Sequence, residues 1–111
     1  MTDKVDSLHL IIDEQKFFQK NILKNDIHSQ QFINDMALAL CAEVYEALGA
    51  TPWKPWKKQQ TLDTEGFKKE VIDVFIFTMN LVIATGMDHF ELCKLYREKM
   101  DINIKRQKEN Y

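Results

Sequence analysis

Glycine and proline are scarce in this chain, at three and two of 111 residues. Few turns can be built from so little, so long helices are expected. Cysteine is also sparse. Two cysteines do not make a disulfide framework, and Cys41 and Cys93 both fall in apolar helical contexts, which reads as reduced core thiols in a cytoplasmic protein. Positive charge is not in excess. A net charge of −2 and a pI near 5.9 supply no field for a nucleic-acid backbone, which argues against a DNA or RNA polymer as partner. The three histidines, His9, His28 and His89, are scattered and lack ligand spacing to a thiol, so zinc is a poor fit. The opening residues 1–6 are polar and mixed in charge, unlike a secretion signal. The longest apolar run falls short of the roughly 20 residues that span a bilayer, and it contains Asp73 and Asn80, so no membrane partner is expected.

What remains is a single globular domain over residues 1–111, with 45% hydrophobic and 29% charged residues. Val5, Leu8, Ile11, Ile12, Phe18 and Ile22 recur at helical intervals and predict a first helix from about Val5 to Asn25. After a turn through Asn25–Ser29, a second helix is expected over Gln31–Leu48, with Phe32, Met36, Leu40, Ala47 and Leu48 facing inward and Gly49 as its stop. A third runs from Thr64 to Thr85 and ends at Gly86. Asp88 and Glu91 then cap a fourth, from His89 onward. The segment between Gly49 and Asp63 holds both prolines and both tryptophans and is the one substantial loop.

Two acidic pairs carry the chemistry. Glu43 and Glu46, then Glu70 and Asp73, are each three residues apart, a spacing that places both carboxylates on one side of a helix. No Lys or Arg occurs between Lys24 and Lys54 or between Lys69 and Lys94. An ionised carboxylate in the apolar run that follows Val71 costs several kcal/mol, as an order of magnitude, unless it is paired or binds a metal. A hard divalent cation with oxygen ligands, magnesium above all, answers that need. The ordinary alternative puts Glu43 and Glu46 on a solvated face and pairs Asp73 with Lys69. Either pair alone would favour it, but two pairs without nearby cations reverse the odds.

Trp53, Lys54, Trp56 and Lys57 follow the second helix directly, combining rings that stack on nucleobases with charges that meet phosphates. They could equally form a hydrophobic cap kept soluble by its lysines. Phe77 and Asn80 share the helical stripe of Glu70 and Asp73, either as a pocket wall or as core ring and buried amide. On the last helix Lys99, Asn103 and Arg106 fall on one side, a suitable phosphate-binding edge.

The ordered pattern over residues 36–111 resembles the all-α nucleoside triphosphate pyrophosphatase superfamily, which includes MazG-like proteins and dimeric dUTPases. It runs Glu43-x-x-Glu46, the Trp/Lys loop, Glu70-x-x-Asp73 with Asn80, then Lys99-x-x-x-Asn103-x-x-Arg106-Gln107 and Tyr111. The loop and the ending from Asn103 to Tyr111 look most like the phage-type dUTP/dCTP pyrophosphatases. The resemblance implies an all-α four-helix bundle assembled as a homodimer or homotetramer. It implies magnesium, with manganese as a substitute, held by Glu43, Glu46, Glu70 and Asp73. Glu43 or Glu46 acts as base, and a nucleoside triphosphate, dUTP before dCTP, is cleaved to monophosphate and pyrophosphate. Trp53, Lys54, Trp56, Lys57, Phe77, Asn80, Lys99, Asn103 and Arg106 become substrate-binding residues. Met100 departs from the pattern, because many relatives carry Asn there. The alternatives are a MazG-like house-cleaning enzyme for other nucleotides and a non-catalytic helical module that binds a nucleotide or a protein.

Overall fold

The computed structural model describes residues 7–109. Four α-helices follow one another: α1, Ser7–Phe17; α2, Gln30–Gly49; α3, Thr64–Thr85; and α4, His89–Lys108. Among the described residues there is no strand, so the chain is all-α as its composition implied. Val5, the expected start of the first helix, and Tyr111 lie outside the described residues.

Local chemistry explains most of the helix limits. Ser29 accepts the Phe32 amide at 3.0 Å to start α2, Asp63 accepts that of Gly66 at 3.1 Å to start α3, and Asp88 accepts that of Glu91 at 2.8 Å to start α4. Gly86 ends α3 in the left-handed region at φ 78°, where a side chain is strained. Gly49 is not the expected stop. It is the last residue of α2, and the chain turns because the Thr51 hydroxyl and amide both donate to the Leu48 carbonyl, at 2.7 and 2.9 Å, with Pro52 next. The first helix also departs from expectation. After Phe17 it widens into a π-helical turn, Phe18–Ile22, and closes with Lys24 at φ 60°. Gln19 inside that turn is buried and accepts the Asn25 side chain at 2.7 Å, which holds the exit of the helix.

The α2 and α3 helices form the main packed pair, and α1 lies against α3. Their core is Ile27, Phe32, Ile83 and Ala84, with Ile12, Ile33 and Met36 packed around it. One polar strut crosses all three helices: Asn80, 0% exposed, accepts the Gln15 amide at 2.9 Å and donates to the Met36 sulfur at 3.2 Å. This contact sets the antiparallel register. Seven residues on from Met36 is Glu43, and seven residues back from Asn80 is Asp73, so two turns along each helix the acidic pairs come face to face.

The fourth helix does not close a bundle on its own chain. It leaves α3 at 109° and contains no buried residue. Its start is held by the His9 and His89 rings, 4.1 Å apart. Large apolar side chains are open to solvent on every helix, including Ile11 and Phe18, Val71, Ile72 (56%) and Phe75, and Phe90 (73%), Ile102 and Ile104. Cys41 and Cys93 are likewise free but exposed, not the core thiols expected, because the apolar faces they sit on have no cover within this chain. Among the described residues, no single helix is long and apolar enough to cross a membrane.

Candidate metal centre

The last turns of α2 and the first turns of α3 bring carboxylates from Glu43, Glu46 and Glu70 within 4.8 Å of one another. Glu43, Glu70 and Asp73 are half-buried and Glu46 is exposed. One oxygen of Glu43, Oε2, and one of Glu70, Oε2, are shut off from solvent without any hydrogen-bond partner. That is an expensive arrangement for anions. Burial lifts the Glu43 carboxyl above its ordinary 4.5, helped by a hydrogen bond to Glu46 and by the charges of Glu46, Asp73 and Glu70. Burial also lifts Glu70, with Glu46 and Asp73 adding repulsion. Asp73 thus stands close enough to act on both, although it is outside the tight trio.

Among the described residues no lysine or arginine pairs with these acids. Among the described residues the side-chain ion pairs are His9 with Asp13 at 3.2 Å and Lys68 with Glu65 at 3.3 Å; Lys69 does not clasp Asp73. Converging oxygen donors, two of them orphaned, with carboxyl groups pushed upward by burial and by mutual repulsion, fit a hard divalent cation and not a soft one.

The Trp/Lys loop follows α2 and packs on its last turns. Its rings form a chain: Trp53 packs edge-on against Tyr45 at 6.5 Å and against Trp56 at 5.6 Å, and the Lys54 ammonium lies 5.9 Å from the centre of the Trp53 ring. Tyr45 belongs to the last turns of α2, so its ring anchors the loop on that helix, although one residue from Glu46 and two from Glu43 it points to a different side of the helix from the carboxylates. Tyr45 escaped sequence reasoning, although its place between the two glutamates was a usable signal. A polar cleft of about 250 Å³ opens within the loop, lined by Trp53, Lys54 and Lys57 with Gly49, Thr51 and Gln60, and none of the four acids is on its wall.

The remaining expected site residues are placed differently. Phe77 is half-buried, and the stripe from Glu70 through Asp73 and Phe77 descends into the core at Asn80. Asn80 itself lies inside, bonded to Gln15 and Met36, where it supports the site from behind. Lys99, Asn103 and Arg106 are exposed on the projecting α4. The chain therefore gathers the acids at the facing ends of α2 and α3, and carries Lys99, Asn103 and Arg106 on the separate arm of α4.

Helices that face one another with paired carboxylates define an all-α protein with a candidate oxygen-ligand metal centre. Comparison narrows the class. The family model described as dUTPase matches residues 7–91, and the chain belongs to that family. It is also 38% identical over 90 residues to a dCTP pyrophosphatase of Enterobacteria phage LZ5, a match covering 62% of this chain and 52% of that protein. The chain thus spans about half the length of this curated relative. No solved structure matches it.

Proposed function

We propose that the chain hydrolyses a pyrimidine deoxynucleoside triphosphate, dUTP first and dCTP next, to the monophosphate and pyrophosphate. The convergence of Glu43, Glu46 and Glu70 with orphaned oxygens and no neighbouring cation carries this reading. The family description and the phage relative's name support the substrate class.

In this reading Glu43, Glu46, Glu70 and Asp73 hold magnesium, or manganese in its place. When bound, the ion neutralises phosphate charge and acidifies bound water. Glu43 takes the proton of the attacking water, with Glu46 hydrogen-bonded beside it. Water adds to the α-phosphorus, the bond to the bridging oxygen breaks, and pyrophosphate departs. Trp53 and Trp56 stack on the base, while Lys54 and Lys57 draw in the triphosphate. Lys99, Asn103 and Arg106 reach the phosphates from a second copy of the chain, which also covers the exposed faces of α1, α3 and α4.

The test is pyrophosphate release with and without magnesium from dUTP, dCTP, dTTP and the purine triphosphates, using Glu43→Gln and Asp73→Asn as controls. Magnesium-dependent turnover of dUTP or dCTP that both variants lose is expected; turnover confined to purines, or undiminished in the variants, overturns the reading. Mixing Glu43→Gln with Arg106→Ala checks the shared site, because one intact pocket per mixed dimer restores part of the activity. No recovery on mixing defeats the sharing.

A further inference from the structure

Resting on that reading, one residue outside the acids and the aromatics has a defined task. We infer that Gln60 is a positioning residue that holds the Trp/Lys loop in its nucleotide-binding shape. The loop is pinned at its base, where the Asp63 amide donates to the Ala50 carbonyl at 3.0 Å. Between those anchors the Trp53 amide donates to the Thr51 carbonyl at 2.9 Å, and the turn beyond it has the bond from the Lys57 amide to the Lys54 carbonyl at 3.2 Å. The Gln60 carboxamide completes it from inside. Its oxygen accepts the Lys54 amide at 3.1 Å, and its nitrogen donates both to the Lys54 carbonyl and to the Lys57 carbonyl, the latter at 3.1 Å.

Gln60 therefore satisfies both backbone groups of Lys54 at once, as a neighbouring strand does in a ladder, and ties that residue to the far side of the turn. Trp53 precedes Lys54, and Pro55, Trp56 and Lys57 follow it. Every side chain proposed to meet base or phosphate on this loop is consequently aimed through one amide. The carboxamide is half-buried and lies on the wall of the cleft. Only a group with a donor and an acceptor at this reach fills the role. A carboxylate keeps the bond to the Lys54 amide but turns an oxygen toward two carbonyls.

The experiment compares wild type with Gln60→Ala and Gln60→Glu. It measures kcat and KM for dUTP with magnesium, the Kd of a non-hydrolysable dUTP analogue by tryptophan fluorescence, and acrylamide quenching of Trp53 and Trp56. Both variants are expected to raise KM and Kd about tenfold, with kcat nearly unchanged, because lost loop bonds weaken nucleotide capture and leave the acids in place. Quenching should rise, while the thermal midpoint stays within about 3 °C of wild type, since the loop lies outside the core. In Gln60→Glu alone, quenching should fall back toward wild type as pH drops through the carboxyl range, because a protonated carboxyl donates again. Unchanged Kd and quenching in both variants overturn the inference, as does a fall in kcat at constant KM. A wild-type chain that binds the analogue without hydrolysing dUTP defeats the proposed reaction and leaves this inference to stand on Kd; a wild type that binds no nucleotide defeats both.

Discussion

At the scale of single residues, the acids behave as a strained set whose release is measurable. Glu43 and Glu70 have raised carboxyl values in the folded chain and so bind protons more tightly folded than unfolded. Their contribution to stability is full at low pH and is lost as pH climbs from about the ordinary 4.5 through the folded values. With chelator present, the thermal midpoint should therefore carry a downward component over that rise in pH, and magnesium should remove it. Glu43→Gln should raise the midpoint of the metal-free protein while abolishing turnover, which separates stability from catalysis in one variant. Asn80 makes the opposite prediction. Asn80→Leu leaves the half-buried Gln15 amide without its acceptor, so chemical denaturation should report a loss of about 1 kcal/mol. Adding Gln15→Leu should recover part of it, because two missing partners cost less than one. The acids were legible in the sequence because their segments lack Lys and Arg, a property of the chain alone. Asn80 was legible as one of two readings, the buried amide, without its partners; Gln60 was not legible at all, because its meaning comes from backbone groups that only the fold brings near.

Elements were readable where a local signal decides them. Capping by Asp88 and termination at Gly86 depend on side chains and backbone conformations within one turn, and both stand as the sequence implied. Gly86→Ala should destabilise the chain by about 1–2 kcal/mol in a denaturant titration, the strain of a Cβ in the left-handed region. The neighbouring His28 ring, 3.9 Å from such a Cβ, adds only ordinary contact. The end of α2 misled because glycine is a common stop, whereas here the Thr51 hydroxyl takes over that task. The π-helical turn after α1 left no periodic trace, since one widened turn barely disturbs the hydrophobic pattern that precedes it.

Across the whole molecule, an all-α domain was legible and its closure was not. Apolar periodicity states which faces need cover, but not whether the cover comes from the same chain. In this structure α1, α2 and α3 share a core, while Ile72 and Phe75 on α3 remain open beside them. Replacing Ile72 with Glu should halve the mass seen by sedimentation and sharply reduce activity, with helical circular dichroism retained, because the change strikes a surface and not the core. A loss of helicity would instead place Ile72 within the fold of the single chain.

The corner between α3 and α4 has a mechanical consequence. Arg106 stands eighteen residues beyond Asp88 on a straight helix, a radius of about 27 Å at 1.5 Å per residue. A swing of only about 10° at the corner therefore sweeps the guanidinium through about 5 Å, more than the difference between gripping an anion and missing it. Small adjustments around Gly86 and His89 become long strokes at the tip, so in the proposed reaction the reach of Arg106 to phosphate would be governed by residues remote from the nucleotide.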